Sequence, residues 1–217
     1  MQHKWLQTIR SSISNTGHLL DLGGVTNAEY HRFLPVNKEQ IIIWNLAPDT
    51  KPNAIVDLDE VAAYPRFPEN CHTILAFNLL EHLYRPLDLI TWAAMPLPSG
   101  GNLLISVPFI YPIHPSPSDY WRMTPELFER FFSELKKTDA IEGKLEALPL
   151  SEDLRDTTVL VTSTLFKSHA LHRLLAMCIE GFAKFISAVA STIGFSGQIR
   201  MRARTYPSAI GVVSTKK

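Results

Sequence analysis

The chain has 217 residues, 46% of them apolar and 19% charged, with Lys plus Arg and Asp plus Glu balanced at 21 each. That is enough apolar chain for one folded domain with a sizeable core. The balanced charge removes the electrostatic reason to expect nucleic acid as a partner. Cys71 and Cys178 lie far apart and read as free thiols rather than metal ligands. Met1 to Ser14 lacks the apolar core of a leader, and no run reaches the ~18 uncharged apolar residues of a spanning helix. A cytoplasmic location is therefore the expectation.

In chain order, Trp5 to Ser14 reads as a short leading helix. His18 to Leu22 reads as a strand running into the Gly23-Gly24 turn, with a short helix over Asn27 to Leu34. Ile41 to Trp44 is a β-branched strand ending at Asn45, and Ala54 to Val56 a brief one ending at Asp57. Ile74 to Phe77 is too apolar for a half-exposed strand and reads as buried and parallel. Pro86 to Met95 carries apolar residues at 87, 89, 90, 93 and 94, a helical pattern opened by proline. Leu103 to Val107 is a fifth strand. Thr124 and Pro125 supply the N-cap and first position of a helix through Leu135. Thr157 to Ser163 and Tyr206 to Ser214 are expected as the sixth and seventh strands. Alternating strands and helices predict an α/β fold, a Rossmann-like seven-stranded, mostly parallel sheet with helices on both faces and the last strand antiparallel.

Between the last two strands, 167–197 reads as a helical insertion. Leu171, Leu174, Leu175, Cys178, Phe182, Phe185, Ile186, Val189 and Ile193 recur at spacings of three and four, opposite Arg173, Glu180, Lys184, Ser187 and Ser191. This is the pattern of an amphipathic helix. Its apolar face is suited to packing on the domain, to a homodimer through 171–193, or to peripheral contact with a membrane. The whole chain, 1–217, is expected to form one domain.

Chemistry concentrates where strands end. In open α/β sheets the carboxyl edge is where ligands bind. Asp21 with Gly23 and Gly24 would let a ligand approach the backbone, or would be a tight turn with an acid. Asn45 stands where nucleotide-binding sheets place a ribose contact, or it caps the loop Leu46 to Asp49. Asp57, followed by Leu58 and Asp59, would accept from an exocyclic amine, or is a loop acid. Asn78, Glu81 and His82 close the fourth strand. After the fifth, the stretch from Pro108 to Arg122 sets Tyr111, His114, Asp119, Tyr120, Trp121 and Arg122 among five prolines, a stiff wall suited to a site. Its structural alternative has Tyr120 and Trp121 anchoring the loop while Arg122 pairs with Asp119.

The series of strand-Asp-Gly, strand-Asn, strand-Asp, strand ending in Leu80-Glu81-His82, the Gly100-Gly101 turn and the run Tyr120 to Pro125 resembles the class I S-adenosylmethionine-dependent methyltransferases. It looks most like the type 11 branch with a Leu-Glu-His signature. The resemblance covers roughly His18 to Phe132 and the last strand. It implies S-adenosyl-L-methionine as cofactor, held by Asp21, Gly23, Gly24, Asn45, Leu46, Asp57, Leu58, Asn78, Glu81 and His82. It also implies a small-molecule or saccharide acceptor. Two departures stand out: Val25 and Asn27 occupy places where the family has further glycines, and Asn45 replaces a carboxylate.

A sulfonium methyl is already activated, so positioning supplies much of the rate. An oxygen acceptor needs its proton removed, and a neutral histidine suits that task. His114 is the first catalytic candidate, with Asp119 to orient it or replace it. Tyr111, His114, Tyr120, Trp121 and Arg122 are the expected acceptor contacts. No metal is expected. The competing classes are a nucleotide-dependent oxidoreductase, for which His18 to Asn27 lacks the full glycine turn, and a non-catalytic binding or assembly protein on the same fold.

Overall fold

A computed structural model describes residues 2–109, 111, 113–137, 142–148, 178, 181 and 209–216. Its elements are α1 (Gln2–Ile9), β1 (His18–Leu22), β2 (Ile41–Asn45), β3 (Ala54–Ile55), β4 (Cys71–Phe77), α2 (Pro86–Ala94), β5 (Asn102–Pro108), α3 (Pro125–Lys137), β6 (Glu142–Leu148) and β7 (Ala209–Thr215), with short 3-10 turns between them. The strands form one sheet in the order β3-β2-β1-β4-β5-β7-β6. β1 to β5 pair in parallel, and β7 runs antiparallel to both β5 and β6. This is the mostly parallel sheet with an antiparallel last strand that the sequence predicts. The chain winds from β1 outward to β3, then returns to β4 on the other side of β1. The β1/β4 boundary is thus the point where strand order reverses and a crevice opens at the carboxyl edge.

The sheet separates two apolar layers. Leu20, Leu22, Ile74, Ala76, Leu103 and Ile105 face α2 and α3, where Leu89, Ile90, Phe128 and Phe132 are buried. Leu19, Ile43, Leu75, Phe77 and Leu104 face Trp5, Leu6 and Ile9 of α1. Two-residue alternation along each strand sends neighbours to opposite faces. Both faces are covered, which is why these strands read as unbroken apolar runs. The Thr124 hydroxyl accepts from the Leu127 amide at 3.3 Å, so the expected cap of α3 is present. Asn27 to Leu34 forms a 3-10 turn, Glu29–Phe33, in place of the expected helix.

One strand escaped the sequence. Glu142-Gly143-Lys144-Leu145-Glu146-Ala147-Leu148 is mostly made of helix formers, yet it pairs with β7 along its length. The expected strand at 157–163 and the amphipathic segment 167–197 lie outside the described residues, apart from Cys178 and Gly181. No described helix is long and apolar enough to cross a membrane.

Gly211 of β7 marks where α1 presses on the sheet: a Cβ built there would lie 2.7 Å from Trp5 Cε2. A Gly211→Ala substitution must push the indole outward, and overpacking of this kind costs about 1–3 kcal/mol. The expected result is a lower urea midpoint with an unchanged slope; an unchanged midpoint would show that α1 yields freely.

Candidate functional site

A cleft of about 600 Å3 opens at the carboxyl edge beside the β1/β4 boundary. It falls within the ~300–1,000 Å3 range of small-molecule sites. Of the residues expected to hold a cofactor, Gly23, Asn45, Leu46, Asp57, Leu58, Asn78 and His82 border it. Tyr120, expected on the acceptor side, borders it too, together with Val25, Leu79 and 116–118. Four consecutive strand ends of a parallel sheet and the loop after β5 thus converge on one space.

Asp21 sits beneath this cleft rather than in it. Its side chain points into the α1 layer, fully buried, where Oδ2 accepts from the Tyr30 hydroxyl at 2.7 Å and meets His31 Nε2 at 2.6 Å. Burial raises its pKa, and the bonds from His31 and Tyr30 pull against that rise. The carboxylate also explains Gly24, since a Cβ there would stand 2.1 Å from Asp21 Oδ2. Gly23 has φ +73° and lies against Leu79, whose Cδ1 would be 2.9 Å from an added Cβ. The first loop therefore needs both glycines, for different reasons. Asn27 has φ +61°, a conformation asparagine tolerates better than most residues, so it fills a glycine-like place without losing the backbone shape.

Asn45 borders the cleft and also ties the loop. Its amide donates to the carbonyls of Gly23 (3.0 Å) and Gly24 (2.8 Å), and its Oδ1 accepts from the Ala47 amide at 2.9 Å. A carboxylate could not donate to those carbonyls. An acid at this position would lose both donated bonds, so Asn45 is suited to stapling the loop. Asp57 is exposed at the end of β3, and its Oδ1 accepts from the Asp59 amide at 3.0 Å. Buried Leu58 beside it gives the cleft an apolar floor. Asn78 takes φ +46° directly after β4, with its amide donating to Ser106 O at 2.8 Å.

The loop after β5 is bound to the turn after β4. The Tyr120 amide donates to Glu81 O (2.7 Å), His82 Nδ1 to Ser118 O (2.5 Å), and Trp121 Nε1 to Leu83 O (2.8 Å). Arg122 grips Asp119 with two nitrogens, 2.6 Å to Oδ1 and 2.8 Å to Oδ2, and its Nε and Nη2 reach Tyr111 O. The Arg122 guanidinium holds the Asp119 carboxyl well below the usual carboxylate range. Trp121 and Arg122 therefore follow the structural alternative read from sequence, and neither borders the cleft; Tyr120 does, half exposed.

His114 stands one ring beyond His82, with centroids 5.0 Å apart and edge to face, and Tyr111 meets it edge to face as well, at 4.8 Å. Its Nδ1 lies 3.1 Å from Asp119 Oδ2, so the expected His114–Asp119 pair is formed. Glu81 lies under both histidines, 1% exposed, with its Oε1 at 3.7 Å from His82 Nε2 and 3.9 Å from His114 Nε2. Burial, with the Asp119 charge nearby, pushes its carboxyl up to about 7. The sequence offered no metal-like spacing, because 32 positions part His82 from His114. Folding brings one donor atom each of Glu81, His82 and His114 within 4.8 Å of one another. Tyr30 and His31, the partners of Asp21, were not singled out from sequence; the signal available was a histidine and a tyrosine beside an acidic strand end.

No family model matches the chain, and no curated protein matches it in sequence. Solved structures do match. An S-adenosylmethionine-dependent methyltransferase from Archaeoglobus fulgidus aligns over 99% of this chain and 93% of its own, with a TM-score of 0.58 and 15% identity. Phosphoethanolamine N-methyltransferase 2 of Haemonchus contortus, in complex with S-adenosyl-L-methionine, aligns over 100% of this chain with a TM-score of 0.56 and 14% identity. The chain spans about half that enzyme, 52% of its length. The [4+2]-cyclase SpnF aligns over 99% of this chain and 81% of its own, with a TM-score of 0.52 and 15% identity. At such identities the likeness shows a shared fold, that of class I methyltransferases, and the cyclase shows that this fold hosts other reactions.

Asn45→Asp removes two donated hydrogen bonds and sets a charge against two carbonyl oxygens. A loss of about 1–3 kcal/mol is expected in urea unfolding. Unchanged stability would show that the loop does not depend on the staple.

Proposed function

We propose that the protein is an S-adenosylmethionine-dependent methyltransferase acting on a small-molecule or saccharide acceptor, at oxygen. The observation that carries this reading is the convergence of Gly23, Asp57, Leu58 and Asn78 on one cleft at the strand-order reversal. The residues fit the cofactor: backbone without side chains at Gly23, an exposed carboxylate for the adenine edge at Asp57, and apolar faces at Leu58 and Leu79 for the base. Asp21 and Gly24 act beneath the loop, shaping it. Bound S-adenosylmethionine supplies an activated methyl group that transfers in line, so the protein's task is alignment.

The acceptor side is the wall of 116–118, Tyr120 and His82. Tyr120 offers an aromatic face suited to a sugar or other small ring. The acceptor's proton leaves toward the His82–His114 face, where Asp119 fixes the orientation of His114. Trp121, Arg122 and Tyr111 hold that wall in place. A second reading, a binding protein on the same fold, is favoured by Asn45, whose amide is spent within the loop.

Calorimetry of the purified chain should show one site for S-adenosylmethionine or S-adenosylhomocysteine. Asp57→Ala is expected to weaken it about 10–100-fold, the scale of one charge-assisted hydrogen bond. Absence of heat with a folded sample would reject the cofactor assignment. Binding without methyl transfer to any acceptor pool would favour the binding protein. His114→Ala is expected to lower turnover far more than cofactor affinity; equal loss of both would make His114 purely architectural.

A further inference from the structure

Among the described residues, Glu81 alone has both carboxylate oxygens buried and without a hydrogen-bond partner. Leaving such a group unmet is costly whether it is charged or protonated. The turn Leu80–His82 and the loop from Ile113 to Arg122 nevertheless enclose it on purpose-built geometry. His82 Nδ1 faces the Ser118 carbonyl, which can only accept, so that nitrogen carries the proton. His114 Nδ1 lies 3.1 Å from Oδ2 of Asp119, the carboxylate that Arg122 holds. In neutral His82 the lone pair is then on Nε2, and the Nε2 atoms of His82 and His114 lie 3.7 and 3.9 Å from Glu81 Oε1.

Those separations are too long for a hydrogen bond, so a proton shared between Glu81 and either ring does not satisfy the carboxylate. Donor atoms around a tetrahedral ion with bonds of about 2.1 Å stand about 3.4 Å apart. The two carboxylate–imidazole spacings exceed this by 0.3 and 0.5 Å (3.7 and 3.9 minus 3.4) and the three donor atoms lie within 4.8 Å of one another, so the side chains draw together on binding. His82 also has what metal-bound histidines characteristically have, an Nδ1–H given to a carbonyl, and His114 Nδ1 lies 3.1 Å from a carboxylate oxygen. Two imidazoles and one carboxylate, with room for a further ligand, form the donor set of a catalytic zinc site. The rings are 12% and 32% exposed, so an ion has access.

We propose that Glu81, His82 and His114 bind one divalent ion of the zinc class, with Ser118 and Asp119 orienting the two histidines. Since His82 also borders the cleft, the ion stands next to the acceptor wall, where it would polarise an acceptor hydroxyl. That use rests on the methyl-transfer reading; the binding itself does not.

The test is titration of the chelator-stripped full chain with Co2+, followed by its visible absorption, and with Zn2+, followed by melting temperature. One equivalent of tetrahedral cobalt and a zinc-dependent rise in melting temperature are expected for the unaltered chain. Glu81→Gln, His82→Ala and His114→Ala should each weaken binding by about 100-fold or more, and Asp119→Asn by about 10–100-fold. Glu81→Gln, isosteric and neutral, should fold and melt no lower than the metal-free parent. The proposal is overturned if the folded parent binds neither ion, or if binding persists undiminished in Glu81→Gln and both histidine variants, which would place the metal elsewhere. Both readouts are independent of S-adenosylhomocysteine calorimetry, so either assignment fails without the other.

Discussion

The rest of the site depends on one carboxylate withdrawn from water at the end of β1. Asp21 belongs to the face of the sheet that α1 covers, where its strand neighbour Leu19 is core. An acid in that layer must be met there, and it is met by the 3-10 turn Glu29–Phe33, through Tyr30 and His31. Burial and the adjacent Asp21 charge raise the Tyr30 pKa far above its ordinary value, so the phenol stays a donor. Tyr30 in turn packs edge-on against Phe77 of β4, 5.4 Å away. One polar contact thereby fixes the path from β1 to β2 and seats it on the strand that carries the other half of the cleft. The Gly23-Gly24 loop then lies directly over the carboxylate, so its height above the sheet is set from below. Removing a partner from a buried charge costs about 3–5 kcal/mol, several times the net worth of an ordinary hydrogen bond.

Above that foundation the site divides by elements. The side built from β1, β2 and β3 is largely backbone, apolar surface and one exposed acid, which suits recognition of a flat nucleoside-like ligand. The side built after β4 and β5 holds the histidines, the buried Glu81 and the Asp119–Arg122 pair. Backbone with apolar surface and the titratable cluster therefore come from opposite sides of the point where strand order reverses. Asn45 belongs wholly to the first side: by donating to Gly23 and Gly24 it closes the β1 loop onto β2.

Much of this could be read from the sequence. β1, β2, β4, β5 and the two helices after them announce themselves because a sheet covered on both faces leaves uninterrupted apolar runs, and because Pro86, Thr124 and Pro125 mark helix starts by local stereochemistry. The strand-end residues Gly23, Asn45, Asp57 and Asn78 could be placed at one edge from topology alone. Three things could not. β6 is spelled in helix-favouring residues and is a strand only because β7 offers it a partner. The use of Asn45 depends on carbonyls that no spacing rule locates. Glu81 reads as an edge residue beside the ligand, whereas its burial comes from the loop to Arg122, folded back across it by contacts more than thirty residues apart in sequence.

That last point bears on how the fold was put to use. The class I sheet brings four strand ends together in many proteins, including a cyclase, so the sheet by itself selects no reaction. The site is closed by the seam between the β4 turn and the β5 loop, three hydrogen bonds donated by Tyr120, His82 and Trp121 to main-chain carbonyls. The seam both creates the unmet carboxylate and supplies the groups around it. Without it, Glu81 would be hydrated and unremarkable, and His114 would be a loop residue. Arg122 completes the construction from outside, because it grips Asp119, whose Oδ2 accepts from the His114 amide and lies 3.1 Å from its Nδ1. The buried charge cluster is thus a property of how two loops close on each other, and the sheet contributes the place where they meet.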